Sequence, residues 1–483
     1  MKQGPSLVQR LASQSGIYAL ANVLLKAGGL VLAILYVRYL SQEGYALYDL
    51  IETLTKFATL AGGLGIGNGL LKFLTAKVSD EQAFIGSALI SSAAVGLLCA
   101  ALFYVFRVEI AVWLLGVESA APAVGWGGVF VGTKIIVAVV MMVLRIRERA
   151  VAYAAVLVLE LVALLVLVGV ALLVFDAGLT GILASMAGSA VFALMLCGGL
   201  AWRDLSARWA GSAFREMVRF GFPLIGASVG VFLLNLGDRY LINWILGTEA
   251  VAPYALQARL SGVLNLVLVN SFSLAFGVVG LKSLVESPEA PAFFRRAFRH
   301  YVAGGGLMVL GLAVFAKDVL TIVSGQQAYI EAYTLVLPYA LGFYFYGLYY
   351  LWMTPLYAAG RSTLITGLVL GAATLNIALN LILLPVFGVM GAAVATVASY
   401  GGLAGCTFAI ARRSLAVNYA WHALGLVLLL TVLLTMLTWQ TMEAGLYRWA
   451  QAGSLLAYVG VVLAAGVYRL DEVHSVLDRL RRR

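Results

Sequence analysis

Charge is scarce in this chain: Asp, Glu, Lys and Arg make up 11% of 483 residues, against 63% hydrophobic. A body of this size cannot cover itself with so little polar surface, which excludes a globular protein surrounded by water. Cysteine is nearly absent. Cys99, Cys197 and Cys406 lie within apolar runs without CxxC spacing, which excludes a disulfide framework or a zinc site. The three histidines, His300, His422 and His474, sit at the ends of apolar runs, so no buried histidine relay can pass protons. No Gly-Lys dipeptide occurs, hence no phosphate-binding Walker loop, and ATP is not expected to drive the chain directly. HExxH, GxSxG and any long loop able to house a transferase site are also missing, so no catalytic residue, metal or cofactor is expected.

What is present is apolar sequence in lengths suited to lipid. A spanning helix needs ~20 mostly apolar residues, and only helices satisfy their own backbone there, since barrel strands would be shorter and alternating. The runs predict an all-α polytopic membrane protein with about 14 transmembrane helices. The first six fall at 14–37, 47–71, 84–106, 122–144, 151–175 and 179–201. The remainder fall at 220–246, 252–281, 301–323, 333–358, 363–385, 389–411, 421–439 and 450–468. The first run is too long for a cleaved signal peptide and reads as a retained helix.

Basic residues support that count, because loops on the cytoplasmic side carry the Lys and Arg excess. With both termini cytoplasmic, that side holds 23 of the 32 Lys and Arg, the other side holds Arg38, Arg107, Lys317 and Arg448, and five lie within spans. The net charge of +10 is then a topology signal and an attraction to anionic membrane lipids, with no nucleic-acid partner implied. Trp202, Leu205 and Trp209, set among Arg203, Arg208, Arg215 and Arg219, read as an amphipathic surface helix, and Leu470, Val473, Leu477 and Leu480 repeat the pattern in the tail.

An internal repeat is visible. LSQEGYAL at 40–47 and LGTEAVAPYAL at 246–256 share Tyr-Ala-Leu at an offset of 209, while GLTG at 178–181 and GVMG at 388–391 are offset by 210. Agreement at equivalent topological positions implies two six-helix lobes in parallel orientation, with a substrate path between them. The expected organisation is an N-lobe (1–201), a cytoplasmic linker (202–219), a C-lobe (220–411) and two further helices with a basic tail (412–483).

Ionisable groups inside spans are costly and mark wet interiors or pairs. Tyr18, Asn22 and Lys26 stack at four-residue spacing on the first helix, as do Gln257, Ser261 and Asn265 on the eighth, with Arg259 on another side. Asn235, Asp238, Arg239 and Asn243 sit on the seventh helix; Asp238 and Arg239, pointing ~100° apart, are expected to meet different partners. Glu52 and Lys56 are spaced for an ion pair, whereas Lys134 and Glu160 each stand alone in their helices. In-span cations slightly outnumber anions, which suits an anionic headgroup: Lys26, Lys56, Lys134, Arg239 and Arg259 are candidates to hold it. The aromatic tenth helix, from Tyr339 to Tyr357, can stack on sugars but reads mainly as structural.

RYLSQEGYALYDL (38–50), FGFPLIGASVGVFLLNLGDRYLINWILGTEAVAPY (220–254) and especially NIALNLILLPVFGVMGAAVATVASY (376–400) carry a resemblance across essentially the whole chain. The chain resembles the polysaccharide-transporter flippases of the multidrug/oligosaccharidyl-lipid/polysaccharide superfamily. The resemblance implies a V-shaped, MATE-like pair of lobes, alternating access and a central cationic cavity. It implies as cargo polyprenyl-diphosphate-linked oligosaccharides, moved outward across the bacterial cytoplasmic membrane for O-antigen, capsule or exopolysaccharide assembly beside a polymerase. By the match, Arg38 and Arg239 become headgroup candidates and Asp238 an ion-coupling candidate, with Glu52 and Glu160 beside it and H+ or Na+ as the driving gradient. Gly44-Tyr45-Ala46 departs from the family's turn. Three alternatives stay open: an ion-coupled multidrug antiporter, a lipid II flippase, and a noncatalytic subunit of a polysaccharide synthase or secretion complex.

Overall fold

The computed structural model describes residues 21, 24–25, 27–76, 78, 80–286, 289–442 and 446–467, and among these no strand occurs. The helices are α1 (Ala27–Tyr39), α2 (Gln42–Gly62), α3 (Ile66–Thr75), α4 (Glu81–Val105), α5 (Arg107–Ile110), α6 (Ala121–Ile146), α7 (Ala150–Leu173), α8 (Gly178–Ala201) and α9 (Gly211–Leu236). There follow α10 (Asp238–Leu246), α11 (Thr248–Leu264), α12 (Ser271–Glu286), α13 (Ala290–Ser324), α14 (Gln327–Ile330), α15 (Val336–Ala358), α16 (Ser362–Phe387), α17 (Val389–Ala411), α18 (Trp421–Gln440) and α19 (Tyr447–Ala464). Among the described residues ten helices are long and apolar enough to cross a membrane, and α2 with α3 adds an eleventh. Aromatic α15, α19 and the described part of the first run complete the fourteen segments expected.

Two of those segments are not continuous. α2 and α3 meet at a 43° bend, where Leu64 and Gly65 adopt φ of 47° and 68°. Glycine accepts the left-handed region freely, but a leucine held there costs about 1–2 kcal/mol, so the bend must be supported from outside. The seventh segment divides at Gly237 into α9 and α10. A third departure is the linker. After a turn at 202–204, residues 205–210 form no regular structure, so the amphipathic surface helix expected there is not formed. The tail residues Leu470, Val473, Leu477 and Leu480 lie outside the described residues.

The chain forms two compact units, one of residues 1–232 and 247–252, the other of 233–246 and 253–483. In the first, α4 and α6 cross so closely at Gly96 and Gly132 that a Cβ on either would stand 2.5 Å from the other's carbonyl oxygen. Small residues give membrane helices this approach, where packing replaces the hydrophobic drive of water. The linker is tied down within the same unit. Ser87 donates to the Ala210 carbonyl at 3.0 Å and accepts from the Ala210 N–H at 2.8 Å, and Arg208 pairs with Asp80 at 3.1 Å. Arg149 and Arg147 hold Asp204 at 3.0 and 3.7 Å. Gly86 lies so near the Arg208 backbone that no Cβ fits, so the linker backbone packs directly on α4.

In the second unit, the rings of α15 fill the interior. Tyr301 of α13 donates to the Tyr344 carbonyl at 2.9 Å, and Tyr344 donates back to the Val302 carbonyl at 3.3 Å. Phe298, Trp352, Phe408, Tyr419 and Trp421 converge at one end with ring centroids 4.7–6.2 Å apart. α18 and α19 are sewn to α13: Trp439, Tyr447, Gln451 and Tyr458 donate to carbonyls of Ala313, Val314, Val314 and Ala303.

Candidate functional site

The second unit holds a buried polar cluster built on the break at Gly237. Asp238 opens α10 and is 1% exposed, with Arg239 4% exposed. The two pair with each other at 3.2 Å, contrary to the expectation of separate partners. The 100° argument assumes an unbroken helix and short side chains. Here the long Arg239 fork folds back across the break, donating to both the Asp238 carboxylate and the Asn235 carbonyl, 3.0 Å away.

Tyrosines complete the cluster. Tyr254 of α11 donates to the second Asp238 oxygen. Tyr400 of α17 donates to the Asn235 side-chain oxygen at 2.9 Å, and Tyr339 of α15 reaches the Asn235 carbonyl at 3.5 Å. The Tyr254 and Tyr339 rings meet edge to face at 5.8 Å. Five helices, α9, α10, α11, α15 and α17, thus meet around one carboxylate–guanidinium pair, which is neutral overall and shielded from solvent. Each carboxylate oxygen is already engaged, Oδ1 by Arg239 and Oδ2 by Tyr254, so a proton or a small cation taken up by Asp238 must displace or share with one of these partners.

Gln257 and Ser261 lie on one buried face of α11, as their spacing predicts, with Ser261 donating to Gln257 Oε1 at 3.3 Å. Asn265 begins a short π-helical stretch, Asn265–Asn270. Arg259 is partly exposed and has interactions of its own. Asn243 is buried beside the cluster on α10.

Asn376 and Asn380 on α16, which packs against α10, join the polar interior. Asn380 donates to Asn376 Oδ1 at 3.1 Å, leaving Asn376 Nδ2 and Asn380 Oδ1 buried with no hydrogen-bond partner. Their four-residue spacing in an apolar helix was the available signal, but it entered the sequence reading only as a family motif. Tyr254, Tyr339 and Tyr400 were missed as partners of the cluster because they come from three other helices.

The first unit carries its charges differently. Lys134 of α6 reaches both carboxylate oxygens of Glu160 of α7, at 2.7 and 3.0 Å, so two groups that stand alone in sequence form one ion pair. Glu52 and Lys56 pair at 2.8 Å as their spacing predicts, with the lysine side chain half exposed. Arg38 is exposed at the end of α1 and has interactions of its own. Tyr18, Asn22 and Lys26 lie outside the described residues.

The fold and these sites can be set against known proteins. Residues 11–276 match the family described as "Polysaccharide biosynthesis protein". By sequence, no curated protein matches the chain. Among solved structures, the chain is similar to the lipid II flippase MurJ in an inward closed conformation, with a TM-score of 0.74 at 13% identity over 93% of this chain and 99% of that one. It is also similar to an inward-facing multidrug resistance MATE transporter of the MOP superfamily, with a TM-score of 0.68 at 15% identity over 80% and 94% of the chains. A MOP superfamily transporter from Pyrococcus furiosus, titled for the reverse polarity of its binding pocket, gives 0.52 at 14% identity over 83% and 92%. At these identities the structures establish the fold, and more than half of the sequence falls within the family match. The chain is therefore a multi-pass membrane protein that belongs to the polysaccharide biosynthesis protein family, and its fold is that of the lipid II flippase MurJ and of the MATE transporters.

Proposed function

We propose that this chain is a flippase that moves a polyprenyl-diphosphate-linked oligosaccharide from the cytoplasmic to the outer leaflet of the bacterial cytoplasmic membrane by alternating access, for O-antigen, capsule or exopolysaccharide assembly. The observation that carries this reading is the family match over residues 11–276 in a chain whose fold is shared with a lipid flippase. The charges divide the labour. The more accessible in-span cations of the first unit, Lys56 and Lys134, suit the diphosphate, with exposed Arg38 at the end of α1 and Lys26, by its place in the sequence, as further candidates. Arg239, buried against Asp238, suits neutralisation of a coupling carboxylate better than direct contact with cargo. Asp238 is then the group at which H+ or Na+ is exchanged, while Glu52 and Glu160 balance the lysines. The partners of this reading are membrane lipids, the lipid-linked glycan and a downstream polymerase, with both termini in the cytoplasm.

A second reading, a lipid II flippase, is favoured by the similarity to MurJ over nearly the whole of both chains. One experiment separates the two. Cells lacking the protein are converted to sealed vesicles, and polyprenyl-diphosphate-linked glycans are assayed with an impermeant probe and identified by mass. Oligosaccharide units confined to the cytoplasmic leaflet, and released from it when the protein is restored, support the first reading. Trapped lipid II supports the second, and unchanged sidedness of both rejects each.

A further inference from the structure

Polar residues keep step along one face of α11 and the turn beyond it. Tyr254, which donates to Asp238 Oδ2, stands at the head of the line. Gln257 and Ser261 follow at spacings of three and four, and Asn265 comes four residues later, while Arg259 lies off this face. At Asn265 the helix widens into the π-helical stretch Asn265–Asn270, whose i→i+5 bonding carries the face on to Asn270. Ser271 keeps that register, donating to the Leu266 carbonyl five residues back at 3.3 Å. From Tyr254 to Asn270 the line rises about 20 Å, most of the way through a bilayer core.

Burial is graded along it. Gln257 and Ser261 are both 0% exposed, Asn265 is partly buried and Asn270 is exposed. Protein atoms do not satisfy the deep end. Ser261 donates to Gln257 Oε1 at 3.3 Å, yet Gln257 Nε2 and Asn265 Oδ1 are buried without a hydrogen-bond partner. Polar residues that merely bridge helices would have these atoms paired. A bare donor and a bare acceptor on one continuous face instead suit a file of bound water.

Such a line can deliver a proton to the carboxylate. A sodium ion needs a shell of oxygens, whereas here the two Asp238 oxygens hold a guanidinium and a phenol and the line mixes donors with acceptors. A proton needs hydroxyls and water that donate and accept at once, and Tyr254 is a hydroxyl already seated on the carboxylate. The titratable groups facing Asp238 are Arg239 on its own helix, Tyr254 on α11, Tyr339 on α15 and Tyr400 on α17. Asn235 of α9 and Asn376 and Asn380 of α16 add only amides.

We propose that this face of α11 is a proton path that charges Asp238 through Tyr254, with water held by Gln257 Nε2 and Asn265 Oδ1. Tyr254 passes its hydroxyl proton to Asp238 Oδ2 and takes another at its oxygen from the path, so the phenol is regenerated and the carboxyl becomes neutral. This rests on the reading of Asp238 as the coupling carboxylate, and it names H+ as the ion. With both termini in the cytoplasm, the Asn270 end lies toward the cytoplasm.

The test follows Asp238 itself, without cargo. Full-length protein in liposomes is acidified by a pH jump, and growth of the protonated-carboxyl stretch in the infrared is timed. The variant with Asp238→Asn and Arg239→Gln identifies the part of the band that belongs to Asp238. Gln257→Leu and Ser261→Ala are each expected to slow its growth at least about tenfold without reducing its final height, since the carboxyl is intact. Ser261→Thr keeps the hydroxyl and is expected to stay within about twofold of the parent. Sodium added at constant pH is expected to leave the band in place.

Growth at the parental rate in both Gln257→Leu and Ser261→Ala would overturn the path. Equal slowing in Ser261→Thr and Ser261→Ala would do so too, because that marks a packing role. Loss of the band on adding sodium would replace the proton by sodium exchange. No Asp238 band at all on acidification would reject the coupling carboxylate and the path together. Slowed protonation in the variants of a protein that moves no lipid-linked glycan would support the path and reject the cargo assignment alone.

Discussion

Lys134 on α6 and Glu160 on α7 hold one another across two helices, the ammonium lying 2.7 and 3.0 Å from the two carboxylate oxygens. Neither has another ionisable residue in its own span, so removing one strands the other in an apolar bundle. Glu160→Gln alone is expected to lower the folded, membrane-inserted fraction by the equivalent of about 2 kcal/mol, reduced from the cost of a fully buried charge because the pair is partly exposed. Lys134→Met with Glu160→Leu should recover abundance on a fluorescent size-exclusion profile. If Lys134 also meets the diphosphate, the double variant stays at least about tenfold slower in translocation at normal abundance. Full activity would remove Lys134 from the headgroup assignment.

The Asp238–Arg239 pair yields a sharper contrast. Asp238→Asn leaves a guanidinium 4% exposed without its carboxylate, a loss that costs about 3–5 kcal/mol when a buried pair is broken. Protein abundance should fall severely. Asp238→Asn with Arg239→Gln removes both charges and should restore abundance while abolishing dependence of transport on the ion gradient. A double variant that still responds to a collapsed H+ or Na+ gradient would place coupling elsewhere.

The helices themselves were legible in the sequence, because lipid demands long apolar runs and those runs are hard to mistake. Harder to read were the places where a run is interrupted without losing hydrophobicity. The run Gly62, Gly63, Gly65, Gly67 and Gly69 marks the second span as a place for close packing or a bend, and the bend is there, whereas Gly237 stands alone in an apolar segment and the break in the seventh span left no mark on the hydropathy pattern. Asp238 and Arg239 were misread because their directions were judged from the helix alone, whereas the long Arg239 side chain reaches back to the Asp238 carboxylate. Glu52 and Lys56 were paired correctly because both lie on one helix. Lys134 and Glu160, 26 residues apart, could be paired only once α6 and α7 were placed side by side. The linker failed for a related reason: its aromatic and basic spacing suits a helix, but Gly86 and Ser87, more than a hundred residues earlier, offer its backbone a better partner.

That partner predicts a local effect. Ser87→Ala removes the hydroxyl that serves both the N–H and the carbonyl of Ala210, which costs about 1–3 kcal/mol if the freed groups stay dry. The linker can instead lift into water, so the expected outcome is modest loss of thermal stability with faster protease cleavage at 202–210. Gly86→Ala should produce the same cleavage by a different route, its methyl pushing the Arg208 backbone away. Cleavage unchanged in both would mean that Arg208, Arg147 and Arg149 alone suffice to hold the segment.

The last two helices lie outside the sequence repeat, and their attachment to α13 suggests how to ask what they do. Gly306 on α13 is the point of closest approach: a Cβ there would be driven into Val427 of α18 and the Tyr458 hydroxyl of α19. Around it, Tyr458 donates to the Ala303 carbonyl at 2.7 Å, and Gln451 to the Val314 carbonyl at 3.0 Å. Thr438 and Ser454 join α18 to α19 at 2.7 Å. A helix pair held only by lipid-facing packing would tolerate a methyl at its edge, whereas one seated by a glycine and by polar bonds in a dry setting would not. Gly306→Val is therefore expected to lower the melting temperature by several degrees, and Tyr458→Phe to cost about 1 kcal/mol, the worth of one such bond. Because these contacts involve α13 and not the Asp238 cluster, transport per folded molecule should remain near that of the parent protein. If Gly306→Val instead leaves stability intact and slows transport, α18 and α19 are moving parts of the cycle and their polar seat on α13 is a bearing.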